Sequence, residues 1–210
     1  MKTYEIQSNA GIDALALVER PEPKPTWGQV LIRMRATSLN YRDLIVVQGG
    51  YGNKEKLPLI PMSDGAGEVV AVGEGVTRVK VGDRVAGIFF QDWISGALTK
   101  EKMNSALGGA IDGLLAEYAV LSQDGLVLLP EHLSYEEGAT LPCAAVTAWH
   151  GLVTKGGLTA GETVLVLGTG GVSIFALQFA KMHGARVIVT SSSDAKLSLF
   201  CHSPRIRMKK

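Results

Sequence analysis

Thr163-Val164-Leu165-Val166-Leu167 runs without a break into Gly168-Thr169-Gly170-Gly171-Val172-Ser173. A continuous apolar run of this length suits a strand buried on both faces of a parallel sheet. Val172, Phe175, Ala176, Phe179 and Ala180 then recur at helical spacing, and Arg186-Val187-Ile188-Val189-Thr190 is a second β-branched strand. A strand, a glycine turn, a helix and a strand within about 30 residues make one βαβ unit. The mechanics of the turn are specific. Gly168 permits a tight bend, and Gly170 removes the Cβ that would keep a pyrophosphate from the backbone. The N–H groups at the helix start, around Gly171 and Val172, favour an anion. Ser173 stands where the usual dinucleotide fingerprint has its third glycine, and it is small enough for helix–strand packing. The bland alternative is a glycine-rich turn without a ligand; the strand before it and the helix after it argue for the dinucleotide.

The end of the second strand bears on which dinucleotide. An NAD site places Asp or Glu there for the ribose 2′-hydroxyl. Here Thr190-Ser191-Ser192-Ser193 occupies that place, with Asp194 and Lys196 following. Ser191, Ser192 and Lys196 suit a 2′-phosphate, so NADP (as NADPH) is expected over NAD. Ser193 also reads as a helix N-cap, and the two roles are compatible.

Residues 1–130 read as β. Val30-Leu31-Ile32-Arg33-Met34-Arg35-Ala36 alternates apolar and charged side chains, the period-2 mark of a half-buried strand. Gly65–Gly73, Val79–Gly87 and Glu117–Leu121 give further strands with glycine turns between them, which predicts a compact barrel or sandwich. Residues 91–113 are looser and predict a surface excursion with one helical turn. Ser134 and Glu137 have capping-box spacing, and residues 143–153 look helical.

Composition excludes several classes. The formal net charge of the 210 residues is +1, so no basic excess points to nucleic acid or an anionic membrane. The two cysteines, Cys143 and Cys201, cannot build a disulfide framework. A cytoplasmic setting is the simplest expectation. The first residues lack the apolar core of a signal peptide, and no apolar run reaches membrane-spanning length.

With these segments in view, the chain resembles the medium-chain dehydrogenase/reductase superfamily, nearest the zinc-independent quinone-reductase-like and alcohol-dehydrogenase-like members. The resemblance rests on Asn40-Tyr41-Arg42-Asp43, Asp64-Gly65-Ala66-Gly67-Glu68-Val69, Gly73-Glu74-Gly75-Val76 with Gly82-Asp83-Arg84-Val85, Leu141–Trp149 and Gly168–Val172. It implies an α/β fold with an N-terminal all-β part: a GroES-like β domain over 1–130, then an incomplete, doubly wound Rossmann domain over 131–197. Substrate would lie between the domains, and the family is usually homodimeric.

The resemblance also frames the metal question. Zinc-dependent members place Cys where this chain has Asn40, His where it has Ser63, and Cys where it has Cys143. A catalytic zinc needs three protein ligands, and the excursion at 91–113 lacks the cysteines of the family's structural zinc; no metal is expected. Carbonyl polarisation would then fall to hydrogen-bond donors. By resemblance Tyr51 is a proton donor or an aromatic lining the pocket. Asn40 would contact nicotinamide or substrate, and Thr147 would lie near the nicotinamide. Arg42 and Asp43 either pair with each other or anchor the loop, and Phe89 and Trp93 either wall the substrate or pack locally. The implied activity is NAD(P)H-dependent hydride transfer to a small carbonyl substrate (an enone, quinone, aldehyde or ketone), or alcohol oxidation in reverse. The rivals are a catalytically inactive β module and a dinucleotide-sensing binding protein.

After Leu197 the resemblance stops. Residues 198–210 read as an atypical basic tail in which Pro204 interrupts any helix and Arg205, Arg207, Lys209 and Lys210 lack balancing acids. A Rossmann unit of two strands is expected to be weakly stable, to bind cofactor poorly and to be inactive or prone to aggregate.

Overall fold

A computed structural model of the chain describes residues 1–8, 10–50 and 57–198, with the backbone of 206–209. Two compact units emerge, Met1–Cys143 and Ala144–Lys210.

The first unit is built on a five-stranded antiparallel sheet. Its chain begins with a ribbon of β1 (Lys2–Ile6) and β2 (Leu15–Glu19), and continues with β3 (Gln29–Ser38), α1 (Tyr41–Val47), β4 (Asp64–Val72) and β5 (Arg84–Gly87). The short helix α2 (Lys100–Met103) follows, then β6 (Tyr118–Ser122), β7 (Leu126–Leu128) and α3 (Tyr135–Ala139). The sheet order is β6-β3-β4-β5-β7. Along β3 the expected alternation holds in its centre, where Ile32 is buried and Arg33 and Arg35 are exposed. Register shifts at Leu31/Ile32 and Met34/Ala36 bend β3 against β4. Val30, Ile32, Val69, Val85, Leu107 and Leu114 form the core. The excursion at 91–113 carries the single turn α2 as expected.

The first compact unit runs on past 130, to Cys143. Ser134 Oγ accepts the Glu137 N–H at 3.1 Å and Glu137 returns a carboxylate oxygen to the Ser134 N–H at 2.8 Å. The capped helix α3 packs Ala139 against Ala66 and Ala86 of the first unit's sheet. Small residues on both sides bring helix and sheet together, which the periodicity of 131–143 alone does not disclose.

The second unit holds the short α-helix α4 (Val146–Trp149), flanked by π-type turns, then β8 (Thr163–Leu167), α5 (Gly171–Met182), β9 (Arg186–Thr190), α6 (Asp194–Ser198) and β10 (Ile206–Lys209). The expected two-strand unit is corrected to three parallel strands in the order β10-β9-β8. Ile206-Arg207-Met208-Lys209 has no helical period but does alternate at period 2, and its backbone pairs with Val187–Thr190. Val166, Leu177, Ala180, Val187, Val189 and Leu197 form this unit's core.

Candidate functional site

In the first unit, Asn40 caps α1 with an extended backbone, φ −120° and ψ 153°. Its N–H donates to Asp43 Oδ2 at 2.8 Å. Asp43 is buried at 4% exposure, and its Oδ1 receives Arg42 Nη1 at 3.2 Å. Arg42 Nη1 also donates to the Leu107 carbonyl at 3.1 Å, and the guanidinium lies 4.8 Å from the Phe89 ring centre. Arg42 therefore pairs with Asp43 and anchors a loop as well. Phe89 packs under that guanidinium, and Trp93 packs on Phe90 while its indole N–H donates to the Gly96 carbonyl.

Ser63 and Asp64 are fully buried at the start of β4. Ser63 Oγ donates to Asp64 Oδ1 at 2.8 Å, and the Cys143 N–H donates to Asp64 Oδ2 at 2.9 Å. Burial pushes the Asp64 carboxyl above the ordinary carboxylate range against the pull of Ser63, Asn40 and the Cys143 N–H; the nearby Asp43 charge adds to the rise. Burial likewise raises Asp43, against the Asn40 N–H and the Arg42 charge. The Asn40 amide is near enough to lower the Asp64 pKa, yet its buried Nδ2 completes no hydrogen bond of full geometry among the described residues.

Met62, next to this pair, has φ 72°, a left-handed value uncommon for a side chain of its size. Gly113 makes the tight fit there: a Cβ at Gly113 would lie 2.1 Å from the Met62 carbonyl oxygen. Among the described residues no group of three or more His, Cys, Asp or Glu is placed to hold a metal ion. At the three positions where zinc-dependent members carry ligands, a carboxamide, a hydroxyl and a thiol stand. The Ser63 hydroxyl and both Asp64 oxygens are already engaged.

The second unit carries the glycine turn. Gly168 has φ +86°, a bend that an L side chain resists, and its N–H donates to the Thr190 carbonyl at 2.9 Å. Gly170 is the N-cap of α5, with φ −79° and ψ 176°. A Cβ built on Gly168 or Gly170 would meet nothing within 4 Å, so open space lies over the turn. At Gly171 the nearest atom would be the Ala144 Cβ at 3.5 Å. Ser173, in the third-glycine place, donates its hydroxyl to the Leu167 carbonyl at 3.0 Å and so ties the helix start to the strand end. The first-turn N–H groups of an α-helix have no partner within the helix, and here they begin at Gly171 and Val172.

Leu167 pairs with Thr190 in register, which brings Ser191 to the same end of the sheet as Gly168. Ser191 Oγ accepts the Ser193 N–H at 3.2 Å and Ser193 Oγ accepts the Lys196 N–H at 3.3 Å. Ser192 and Lys196 are exposed beside them, and Thr147 is exposed on α4. Tyr51 lies outside the described residues. The structure thus brings Gly168, Gly170, Gly171 and Val172 to one sheet end with Ser191, Ser192 and Lys196. Asn40 gathers with Ser63 and Asp64. Sequence reasoning passed over the Asp64–Cys143 bond, because nothing local signals a contact across a separation of 79 residues.

An open groove of about 320 Å³ is lined by Thr3, Tyr4, Leu17, Met34 and Glu117, among others, and by none of the candidate site residues. No described helix is long and apolar enough to cross a membrane.

A five-stranded antiparallel β unit followed by a glycine-turned parallel βαβ unit is the architecture of medium-chain dehydrogenases/reductases. The chain belongs to that superfamily through the alcohol dehydrogenase GroES-like domain, whose sequence profile matches residues 26–131. A zinc-type alcohol dehydrogenase-like protein of Schizosaccharomyces pombe is 51% identical over 191 residues, covering 90% of this chain and 55% of that protein. An acryloyl-coenzyme A reductase of Metallosphaera sedula is 37% identical over 188 residues, covering 86% of this chain and 56% of that protein. The crystal structure of a putative alcohol dehydrogenase from Sinorhizobium meliloti superposes with TM-score 0.90 at 44% identity, covering 98% of this chain and 61% of that one. The chain spans about half the length of the curated relatives it matches.

Proposed function

We propose that this chain carries the β domain and the dinucleotide turn of an NADPH-dependent oxidoreductase that works without zinc. The observation that carries the reading is the open cradle at Gly168 and Gly170, where a Cβ would meet nothing. Glycine is not required there by internal packing at Gly170, and close approach of a pyrophosphate gives it a reason. The bound nicotinamide would supply the hydride. Gly168, Gly170, Gly171 and Val172 would hold the pyrophosphate, and Ser191, Ser192 and Lys196 a 2′-phosphate; no carboxylate stands at 190–193 to favour a free ribose. Asn40, whose buried amide nitrogen completes no hydrogen bond of full geometry among the described residues, would donate a hydrogen bond to the carbonyl oxygen as negative charge grows there. Tyr51 would hand over a proton, a task that suits a neutral phenol, and Thr147 would orient the nicotinamide.

Zinc does not fit the donor set, because Asn40 and Ser63 replace a thiolate and an imidazole and the Asp64 oxygens are taken. The named relative that reduces a conjugated thioester supports an enone-type substrate, with quinones and aldehydes in the same class. The test is titration of the purified chain with NADPH and NADH, followed by turnover assays on enones, quinones and aldehydes with and without a chelator. NADPH is expected to bind at least tenfold tighter, with that margin lost in Lys196→Ala; equal affinities for both nucleotides would overturn the NADP assignment.

A further inference from the structure

The lobe from Asp92 to Asn104 contains no buried residue. Its large apolar side chains face solvent: Ile94, Leu98 and Met103 are 54%, 43% and 52% exposed. Without an apolar core of its own, the lobe depends on its polar contacts. Those contacts converge on Lys102. Its ammonium donates to the Ser95 carbonyl at 2.5 Å and to the Ala97 carbonyl at 2.8 Å. The Gly96 carbonyl between them accepts the Trp93 indole N–H at 2.9 Å. Gly96 has φ +71°, a left-handed bend that glycine adopts without strain. A Cβ on Gly96 would meet the Lys102 Nζ at 3.7 Å, so the ammonium lies against the bend.

The main chain of Lys102 is held independently of its side chain. Its N–H donates to the N-cap Thr99 Oγ1 at 3.4 Å, and its carbonyl accepts the hydroxyl of buried Ser105 at 2.6 Å. Ser105 Oγ accepts the Asp92 N–H at 3.0 Å, and the Ser105 carbonyl accepts the Gln91 N–H at 3.1 Å, which closes the neck of the lobe. A lysine ammonium is ordinarily a strongly hydrated point charge on a flexible stem. Here the stem starts from a fixed point and its donors meet two carbonyls of one bend. We propose that the Ser95–Ala97 bend is a receptor for a primary ammonium, that the chain's own Lys102 is its occupant, and that this contact holds the lobe closed. The receptor accepts a free alkylammonium once the tethered one is removed. The proposal stands apart from the NADPH reading, since every group in it lies between Gln91 and Ser105.

The test is limited proteolysis of the 210-residue chain with thermolysin, read bond by bond by mass spectrometry. Thermolysin cuts before large apolar residues, so the Ala97–Leu98 bond, whose carbonyl Lys102 holds, reports opening of the lobe. Cleavage tracks the population of the open form when opening and closing are fast. Lys102→Ala and Lys102→Met are each expected to speed cleavage at this bond about tenfold, the scale of a lost hydrogen bond to a charged group. Lys102→Met keeps an apolar stem and loses the donors, which separates packing from the ammonium. Propylammonium replaces the part of the side chain that Lys102→Ala removes. It is expected to return that variant to the parent rate, to leave the parent and Lys102→Met unchanged, and to be ineffective when neutral propanol takes its place. Parent-like resistance in Lys102→Met or Lys102→Ala, no rescue by propylammonium, or equal rescue by propanol would each overturn the proposal. So would cleavage that rises equally at bonds throughout the first unit, because Lys102 would then support the whole unit and not the lobe.

Discussion

The Asp64 carboxylate accepts the main-chain N–H of Cys143 at 2.9 Å and so fastens the last residue of the first unit to the first residue of β4. Burial raises the Asp64 pKa, so the folded chain holds this proton more tightly than the unfolded chain. A raised carboxyl contributes stability below its unfolded pKa and loses it as pH climbs through the folded value. Asp64→Asn keeps a carbonyl acceptor for Cys143 and cannot ionise. The variant is therefore expected to gain in Tm relative to the parent as pH rises from the acid range to neutral. Thermal unfolding of both proteins across that range checks this, and a flat difference refutes it.

Gly170 caps α5 in ordinary extended geometry, so a side chain there costs the fold little. Gly170→Asp supplies a better N-cap and a charge that suits the helix start. It also puts a Cβ and a negative charge where the pyrophosphate would lie. Unliganded Tm is expected to hold or rise slightly, while NADPH affinity falls at least tenfold, about 1.4 kcal/mol. Calorimetric titration measures the second quantity. Undiminished affinity would remove the turn from the binding site.

Much of this was legible in the sequence, for local reasons. The βαβ unit announces itself because an apolar strand, a glycine turn and an apolar helix face each follow from nearby residues, although β8 is not buried on both faces as expected: Leu165 and Leu167 are 58% and 72% exposed. The capping pair Ser134–Glu137 is local too. What stayed hidden depends on distance or on weak pattern. Asp64 gathers with Asn40 and Cys143 only through the chain's long returns. The strand at Ile206–Lys209 was masked by Pro204, by two cations within it and by two that flank it, although its period-2 alternation was present. The placement of α3 on the first unit turns on Ala139 meeting Ala66 and Ala86, a contact that helix periodicity does not encode.

Gly113 tests the backbone packing behind the Ser63–Asp64 pair. A Cβ there would meet the Met62 and Pro61 carbonyl oxygens at 2.1 and 2.3 Å. Both are main-chain atoms, and Met62 is already left-handed, so neither yields as a flexible side chain would. Gly113→Ala is expected to destabilise the chain by about 2–3 kcal/mol, the upper end of overpacking costs. Urea denaturation measures it. A loss under about 0.5 kcal/mol, the range of an ordinary surface change, would show that the loop moves freely.

Arg42 serves four partners at once: Asp43 Oδ1, the Leu107 and Gly108 carbonyls and the Phe89 ring face. A lysine reaches one of these as a point charge but cannot serve two acceptors from a planar fork over a ring. Arg42→Lys is expected to cost about 1–3 kcal/mol, because a buried carboxylate or carbonyl loses its donor. Asp43→Asn alone removes the charge that burial already disfavours, which offsets part of its lost ion pair. The double variant separates the terms. If Arg42 and Asp43 act together, the combined loss falls short of the sum by more than about 0.5 kcal/mol, the usual limit of additivity for independent sites. Because Leu107, Gly108 and Phe89 remain in the double variant, Arg42→Lys should still cost stability in the Asp43→Asn background. A strictly additive cycle would mean that Arg42 holds the Leu107 loop and contributes nothing to Asp43.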